Sequence, residues 1–295
     1  MTELLLGANP LSGVSHLSAE QARSLNSNLE LTNKVEVVRE AGLAGASGFT
    51  FTPSSSTLRL LDSLRGQPGL TPMSLFPVIP ALDKYWNAFV SRGSYGLLNA
   101  VLTDLPWSKK ATTLLHGGAA ALTMDPESLL RTYINVEIAK IQKASPSGWQ
   151  VDTVFLGETF TDALLSLRSY SLIRMFGKSI IDAGVKHWGL QTRNLAMLLR
   201  AYKLFAIDEK PTIMAPLNPV GFQMTPDRAT CEKLLRDFKE IRLFAISVLA
   251  AGLVTPRDAI FYLETIRPKL SGIAVGTSSV GHARSLFPQL KEIFG

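Results

Sequence analysis

The ionisable side chains best suited to acid–base chemistry in this sequence are Glu158 and His16. Glu158 directly follows the apolar run 151–157, so its carboxyl group should be partly buried. Burial raises a carboxyl pKa and suits the group to general acid or base work near neutral pH. His16 follows the first apolar run in a loop rich in Gly and Ser, where an imidazole could transfer protons. Arg193 could pair with Glu158, and the sequence leaves open whether such a pair is structural or also orients substrate.

A second group of side chains could bind a small anionic substrate, because they follow the ends of apolar runs and have no packing role there. These substrate-binding candidates are Asn9, Asp83, Lys84, Gln191, Arg193 and Asn218. The segment Gly276-Thr277-Ser278-Ser279 leads into a helix that begins near Val280. Backbone N–H groups at such a helix start can bind a phosphate or a cofactor. The alternative is that Ser279 caps the helix and no ligand binds.

Several other kinds of site are absent from the sequence. There is no HExxH motif and no clustered His, Asp and Glu spacing, so no intrinsic metal is predicted, although His16, Asp83 and Glu158 could meet in space. A P-loop and the nucleophile-elbow pattern G-x-S-x-G are also missing. Cys231 is the only cysteine and falls inside a predicted helix, so we expect it to be buried and to take no part in the chemistry.

Short apolar runs that alternate with helical stretches predict the elements that position these side chains. Continuous apolarity over a few residues is typical of strands covered on both faces, as in a parallel sheet. Eight runs qualify: 3–8, 46–52, 73–79, 151–157, 186–190, 211–216, 242–247 and 272–276. Eight such units in 295 residues predict an α/β fold, the (β/α)8 TIM barrel, with its candidate site at the carboxyl ends of the strands.

Local signals mark several helix starts. Thr255-Pro256 and Thr225-Pro226 each place a capping Thr before a Pro, which favours the first position of a helix. Asp125-Pro126 does the same before a helix that should end near Ala144.

The interval between the third and fourth strands, about 80–150, is too long for one simple barrel unit. We interpret 81–122 as a helical insertion that caps the mouth of the barrel, within a single domain over 1–295. The alternative is a packing extension or an oligomer contact.

Composition excludes several classes of protein. With 46% hydrophobic and 18% charged residues and a mean hydropathy of +0.17, the chain predicts a large core and not disorder. A lone cysteine and no secretory signal favour a reducing, cytoplasmic location. The net charge of +6 is spread along the chain, so nucleic acid is not expected as a partner. The most apolar run, 243–254, is too short to cross a membrane. Oligomeric state stays open.

From the fifth strand onward the chain resembles the aldo-keto reductases. The resemblance lies in His187-Trp188-Gly189-Leu190-Gln191-Thr192, Leu217-Asn218-Pro219, the segment 244–252, and Val275-Gly276-Thr277-Ser278 followed by Arg284. It implies the barrel scaffold and a loop that grips the phosphate of a nicotinamide dinucleotide, so NADP is a candidate cofactor.

The catalytic tetrad of that family is not matched. The second strand supplies neither Asp nor Tyr, the third ends without Lys, and Gly157-Glu158 stands where the family has His. The family's Ser-Asn pair is replaced by Gln191-Thr192.

Three functions follow from these observations. The first is acid–base chemistry of lyase or isomerase type on a small anionic metabolite, with Glu158 and His16 as the catalytic groups. The second is an NAD(P)H-dependent oxidoreductase of aldo-keto reductase type with a rebuilt active site. The third is a non-catalytic barrel that binds a ligand.

Overall fold

Parallel strands that close on themselves form the centre of the protein. The structure is a computed structural model and describes residues 2–12, 30–79, 126–205, 210–238 and 241–295. Within these residues the strands are β1 (Glu3–Gly7), β2 (Gly48–Phe51), β3 (Ser74–Ile79), β4 (Gln150–Val151), β5 (Thr153–Leu156), β6 (His187–Gln191), β7 (Thr212–Pro216), β8 (Leu243–Ile246) and β9 (Gly272–Gly276). Their order is β2-β1-β9-β8-β7-β6-β5-β3-β4, and pairing of β2 with β3 closes the barrel.

The segments β4 and β5 are two parts of one barrel strand, because both pair in parallel with β3 and only Asp152 separates them. The closed sheet therefore has eight strands, as the sequence predicts, and each predicted strand agrees with an observed one to within two residues. The TIM-barrel fold class is confirmed.

Helices follow the strands and cover the outside of the sheet. In the described ranges the α-helices are α1 (Leu31–Leu43), α2 (Ser55–Ser63), α3 (Pro126–Ala144), α4 (Glu158–Ser166), α5 (Tyr170–Asp182), α6 (Leu195–Phe205), α7 (Arg228–Asp237), α8 (Pro256–Thr265) and α9 (Val280–Phe294). The helical insertion predicted over 81–122 lies outside the described residues.

The predicted helix starts have different outcomes. Thr255 caps α8 as expected, since its hydroxyl accepts a hydrogen bond from the backbone N–H of Asp258 at 3.2 Å. The prediction that Thr225 caps the next helix upstream is wrong. Asp227 caps α7, with Oδ1 accepting from the Thr230 N–H at 2.8 Å. The Asp227 carboxylate accepts this hydrogen bond more strongly than the Thr225 hydroxyl would, so the helix begins two residues later than predicted.

Two layers of apolar side chains hold the barrel. Inside it, a small cluster fills the lumen: Leu5, Phe76, Phe155, Met214, Phe244 and Ala274. A much larger cluster lies between the outer face of the sheet and the helices and includes Trp188, which is fully buried. The lumen is thus packed with side chains, so polar chemistry is confined to its ends.

The amino-terminal end of the barrel is closed by a charged network around Arg242. Its Nη2 donates to Glu3 Oε1 at 2.6 Å and to Asp152 Oδ1 at 2.9 Å, and its Nη1 donates to Thr153 Oγ1 at 2.8 Å. The guanidinium also lies 5.0 Å from the centre of the Phe244 ring. The network seals the end of the barrel opposite the candidate site.

None of the helices in the described ranges is long and apolar enough to cross a membrane.

Candidate active site

An ion pair between Glu158 and Arg193 lies at the carboxyl end of the barrel. Glu158 is the first residue of α4, directly after β5 and Gly157, and Arg193 follows the neighbouring strand β6. Arg193 Nη2 donates to Glu158 Oε1. The side chains are 26% and 43% exposed, so the pair faces the mouth without being fully solvated. Neighbouring parallel strands end at the same edge of the sheet, which is why residues 35 positions apart meet here.

The Nε atom of Arg193 is a buried donor that has no hydrogen-bond partner among the residues that the structure describes. Glu158 occupies only one edge of the guanidinium group. An unpaired buried N–H is unfavourable, and it can be satisfied by an oxygen atom brought in by a ligand. The pair thus combines a fixed cation with an unused donor.

Asp162 lies one helical turn after Glu158 and accepts hydrogen bonds from the loop after β6 that carries Arg193. Its Oδ1 accepts from the Thr192 hydroxyl, and its Oδ2 accepts from the backbone N–H of Arg193 at 3.1 Å. Burial raises the pKa of Asp162, and the negative charge of Glu158 adds to this, although the hydrogen bonds oppose it. Asp162 is not among the site residues predicted from the sequence, although its spacing of four from Glu158 on a helix indicates a shared face.

The loop after β6 is held firmly by its own polar groups. Thr192 is buried and its N–H donates to the Met214 carbonyl at 3.0 Å. Asn194 Oδ1 accepts from the Met197 N–H at 3.0 Å and so caps the start of α6. Gln191, a predicted substrate-binding residue, ends β6 and is partly exposed. This loop therefore presents Gln191 and Arg193 from a rigid base.

Asn218 lies at the mouth, and its side-chain amide forms hydrogen bonds to other residues of the protein. It is fully buried, and its Nδ2 donates to the carbonyls of Phe222 at 2.9 Å and Ser247 at 3.2 Å. Its Oδ1 accepts from the Phe222 N–H at 2.8 Å. Both donors of the amide are used in clamping the loop after β7 to the end of β8. The substrate-binding role of Asn218 stays a prediction.

The clamp holds two residues in the left-handed backbone region. Gln223 has φ 60° and Ser247 has φ 53°, values that residues other than Gly rarely adopt. Their side chains meet, with Ser247 Oγ donating to Gln223 Oε1 at 3.3 Å. Ala250 and Ala251, in the loop after β8, also have positive φ values. Such strained backbone concentrates at binding sites, where the surrounding structure enforces it.

The predicted anion-binding segment forms a tight turn from β9 into α9. Gly276 ends the strand, and a Cβ atom there would lie 2.8 Å from the Pro10 ring, so only glycine fits. Thr277 is buried, Ser278 is partly exposed, and Ser279 Oγ accepts from the His282 N–H at 3.1 Å. Ser279 is therefore the N-cap of α9, as one of the two sequence interpretations has it. Ligand binding on the same turn stays a prediction.

Arg284 lies one turn further along α9 and is held by α1. Its Nε donates to Glu40 Oε2 at 2.7 Å, and Glu40 also accepts from Arg39 at 2.8 Å. Hydrogen bonding to Arg284 and the charges of both arginines lower the pKa of Glu40. Arg284 itself remains 61% exposed, so it is oriented and still accessible to an anion.

The remaining predicted residues are distributed as follows. Asn9 is exposed at the start of the short 3₁₀ helix Asn9–Ser12, beside the Gly276 turn. His16, Asp83 and Lys84 lie outside the described residues. In the described ranges no group of three or more His, Cys, Asp or Glu side chains could hold a metal ion.

Comparisons with known proteins agree on the architecture. No protein-family model matches the sequence, and no curated protein matches it significantly. Among solved structures, a candidate aldo-keto reductase from Pseudomonas aeruginosa has a TM-score of 0.59 at 12% identity, over 99% of this chain and 91% of that one. Aldose reductase from Giardia lamblia has a TM-score of 0.53 at 8% identity, over 98% and 87%. An aldo-keto reductase from Klebsiella pneumoniae in complex with NADPH has a TM-score of 0.50 at 12% identity, over 98% and 85%.

The chain has the barrel fold of the aldo-keto reductases. The resemblance noted in the sequence is thereby confirmed for the scaffold. Within this reductase-type barrel, the residue that directly follows the fourth barrel strand and Gly157 is Glu158, and its partner is Arg193. The comparisons thus establish the scaffold.

Proposed function

We propose that this chain is a nicotinamide dinucleotide-dependent oxidoreductase that acts on a small, negatively charged carbonyl or hydroxyl compound. The observation that carries the proposal is the turn from Gly276 to Ser279, which brings the start of α9 to the mouth of a reductase-type barrel. One neighbour with this fold is a complex with NADPH. The comparisons favour this function over the lyase or isomerase chemistry predicted from Glu158 and His16.

The described residues fit the phosphate groups of such a cofactor. The first turn of α9 is open, because a Cβ atom placed on Gly281 would meet no atom of the described residues within 4 Å apart from its own stretch of helix. Backbone N–H groups and the positive end of the helix dipole favour an anion at this position. Ser278 and the exposed Arg284 would supply further donors, with Glu40 holding the guanidinium in place.

The ion pair at the mouth would handle the substrate. A bound nicotinamide dinucleotide supplies the hydride or accepts it. Arg193 binds the negatively charged group or the carbonyl oxygen of the substrate and stabilises the negative charge that develops on that oxygen until water at the partly exposed mouth supplies a proton to it. Glu158 holds the guanidinium in position, and Asp162 fixes the backbone of Arg193. The Glu158 carboxylate thus acts through Arg193 in this mechanism.

Cofactor binding is tested by substitutions at Gly281. Gly281→Glu places a negative charge where the cofactor phosphates would bind, and a carboxylate in the first turn of a helix does not destabilise it. We expect the wild type to bind NADPH or NADH, detected by tryptophan fluorescence and by a rise in the melting temperature. Gly281→Glu should weaken that binding at least tenfold, and Gly281→Gln, which is similar in size and neutral, should weaken it much less.

Two results would contradict the proposal. One is a wild-type protein whose melting temperature and fluorescence do not change with either dinucleotide at millimolar concentration. The other is equal binding by Gly281→Glu and Gly281→Gln, since cofactor phosphates would then bind elsewhere. If binding is confirmed, Arg193→Met is expected to lower kcat/KM for anionic carbonyl substrates and to leave the cofactor Kd unchanged.

A further inference from the structure

One side of the barrel wall carries an exposed apolar patch that the proposed reaction does not use. Phe261 of α8 is 71% exposed, Leu253 is 65% exposed and Val220 is 58% exposed. They line a groove of about 430 Å³ between α8 and the loop after β7. We call these three residues and the groove the α8 patch. Single exposed apolar residues are ordinary, but three that line one groove are typical of a surface covered by a partner.

The charges around Phe261 indicate which partner fits. The exposed side chains of α8 form one stripe, with Arg257 a turn before Phe261 and Glu264 almost a turn after it. At 1.5 Å per residue the two charges lie about 6 Å and about 4.5 Å from Phe261 along the axis, on opposite sides. In the described part of the chain neither Arg257 nor Glu264 forms an ion pair.

This arrangement is self-complementary. If a second α8 packs against the first in the antiparallel direction with a two-fold axis near Phe261, each Arg257 faces the Glu264 of the other copy. The same axis, midway between residues 260 and 261, sets Asp258 level with the uncharged Leu263 of the other copy and not with Glu264. A two-fold interface requires this relation, in which residue i contacts residue j and residue j contacts residue i. A stripe with charges of one sign would repel its own copy.

We propose that a second copy of this chain covers the α8 patch and forms a two-fold dimer through antiparallel α8 helices. Phe261 of each copy packs beside the two-fold axis against the α8 patch of the other copy. The two Arg257–Glu264 pairs flank this apolar centre and fix the direction of the helices. The proposal is independent of the reaction, because no residue of the α8 patch belongs to the Glu158–Arg193 site.

The patch and the mouth are nevertheless connected through one loop. Val220 follows Asn218, whose amide clamps the loop after β7 to Ser247. A dimer would therefore hold the outer side of a loop whose inner side contributes to the mouth.

The test is sedimentation velocity of the whole chain over a range of concentrations. The wild type should show a reversible monomer–dimer equilibrium. Phe261→Asp should raise the dimer Kd at least tenfold, since apolar aromatic anchors at the centre of an interface contribute most of its affinity. Leu167→Asp is the matched control, because Leu167 is 75% exposed at the end of α4 and lies outside the patch.

Charge exchange tests the direction of the helices. Glu264→Arg alone sets two arginines against each other at both ends of the interface and should weaken the dimer. The double variant Arg257→Glu/Glu264→Arg restores opposite charges across the interface and should recover most of the affinity. Circular dichroism confirms that each variant is folded.

The outcomes separate the alternatives. Loss of the dimer in Phe261→Asp, its retention in Leu167→Asp and its rescue by the double variant would support the proposal. A wild type that is monomeric at all concentrations would overturn it, and so would a dimer that Phe261→Asp leaves intact. A dimer that Glu264→Arg weakens but the double variant does not rescue would contradict the antiparallel arrangement.

Discussion

Replacing Arg242 with Met removes the cation that closes the amino-terminal end of the barrel. Arg242 makes hydrogen bonds to Glu3, Asp152 and Thr153 and contacts the Phe244 ring. Met is of similar length and keeps much of the packing, so the substitution tests mainly the charged contacts. The Asp152 carboxylate, only 15% exposed, would keep the 2.7 Å hydrogen bond from Thr153 but lose the guanidinium 2.9 Å away.

The expected loss of stability follows from the burial of the groups. Removing one partner of a fully buried ion pair destabilises a protein by about 3–5 kcal/mol, whereas surface pairs contribute about 0–1 kcal/mol. Arg242 is 24% exposed and Glu3 is 33% exposed, which places the network between these cases. We expect Arg242→Met to lower the free energy of unfolding by roughly 2–3 kcal/mol, with a melting temperature lower by roughly 3–5 °C.

The pH dependence gives a second check with a definite sign. Burial alone would raise the pKa of Asp152, but hydrogen bonds from Thr153 and Arg242 and the charge of Arg242 outweigh it and lower that pKa. A carboxyl group with a lowered folded-state pKa contributes stability above its unfolded pKa and loses it as the pH falls through the folded value. The difference between wild type and Arg242→Met should therefore be largest near neutral pH and shrink on acidification.

Urea denaturation at several pH values measures both effects. Arg200→Met is the control, because Arg200 is exposed on α6 and the same chemical change there should alter stability by less than about 0.5 kcal/mol. Equal stability of Arg242→Met and Arg200→Met at neutral pH would refute the reasoning. A difference that grows on acidification would show that the sign assigned to Asp152 is wrong.

Three further substitutions test the mouth and the core. Asp162→Asn should destabilise the protein by about 1–3 kcal/mol in chemical denaturation. Asp162 accepts hydrogen bonds from the Thr192 hydroxyl and the Arg193 backbone N–H, and the NH₂ group of Asn would face one of these two donors without being able to accept from it. An unchanged free energy of unfolding would contradict these hydrogen bonds. Asn218→Ala leaves buried backbone groups unpaired, so a loss of roughly 2 kcal/mol or more is expected, and a neutral effect would refute the clamp. Gly177→Ala brings a Cβ atom to 2.7 Å from the Trp188 ring, so thermal unfolding should detect a loss of about 1–3 kcal/mol despite the better helix propensity of Ala; a more stable variant would show that α5 can move away from the sheet.

The sequence by itself determined the barrel and the principal pair at its mouth. Strands covered on both faces must be continuously apolar, so all eight were visible, and strand ends of a parallel barrel share one edge. Glu158 and Arg193 could therefore be placed together from their positions after neighbouring strands. Local capping signals predicted the start of α9 correctly, because the Ser279 cap depends only on neighbouring residues. The predicted start at Thr225 was wrong by two residues, because Asp227 offers a stronger hydrogen-bond acceptor nearby.

Only the tertiary structure decided which polar groups remain available to a ligand. Asn218 has a residue type suited to substrate binding, but its amide bonds to a loop carbonyl 29 residues away. Arg284 is likewise oriented by Glu40, which is distant in sequence. Such partners depend on how the strands and helices meet in three dimensions, because hydrogen bonds act over about 3 Å and carry no periodic signature along the chain. Sequence patterns locate the mouth, and the long-range contacts determine what each of its side chains can do.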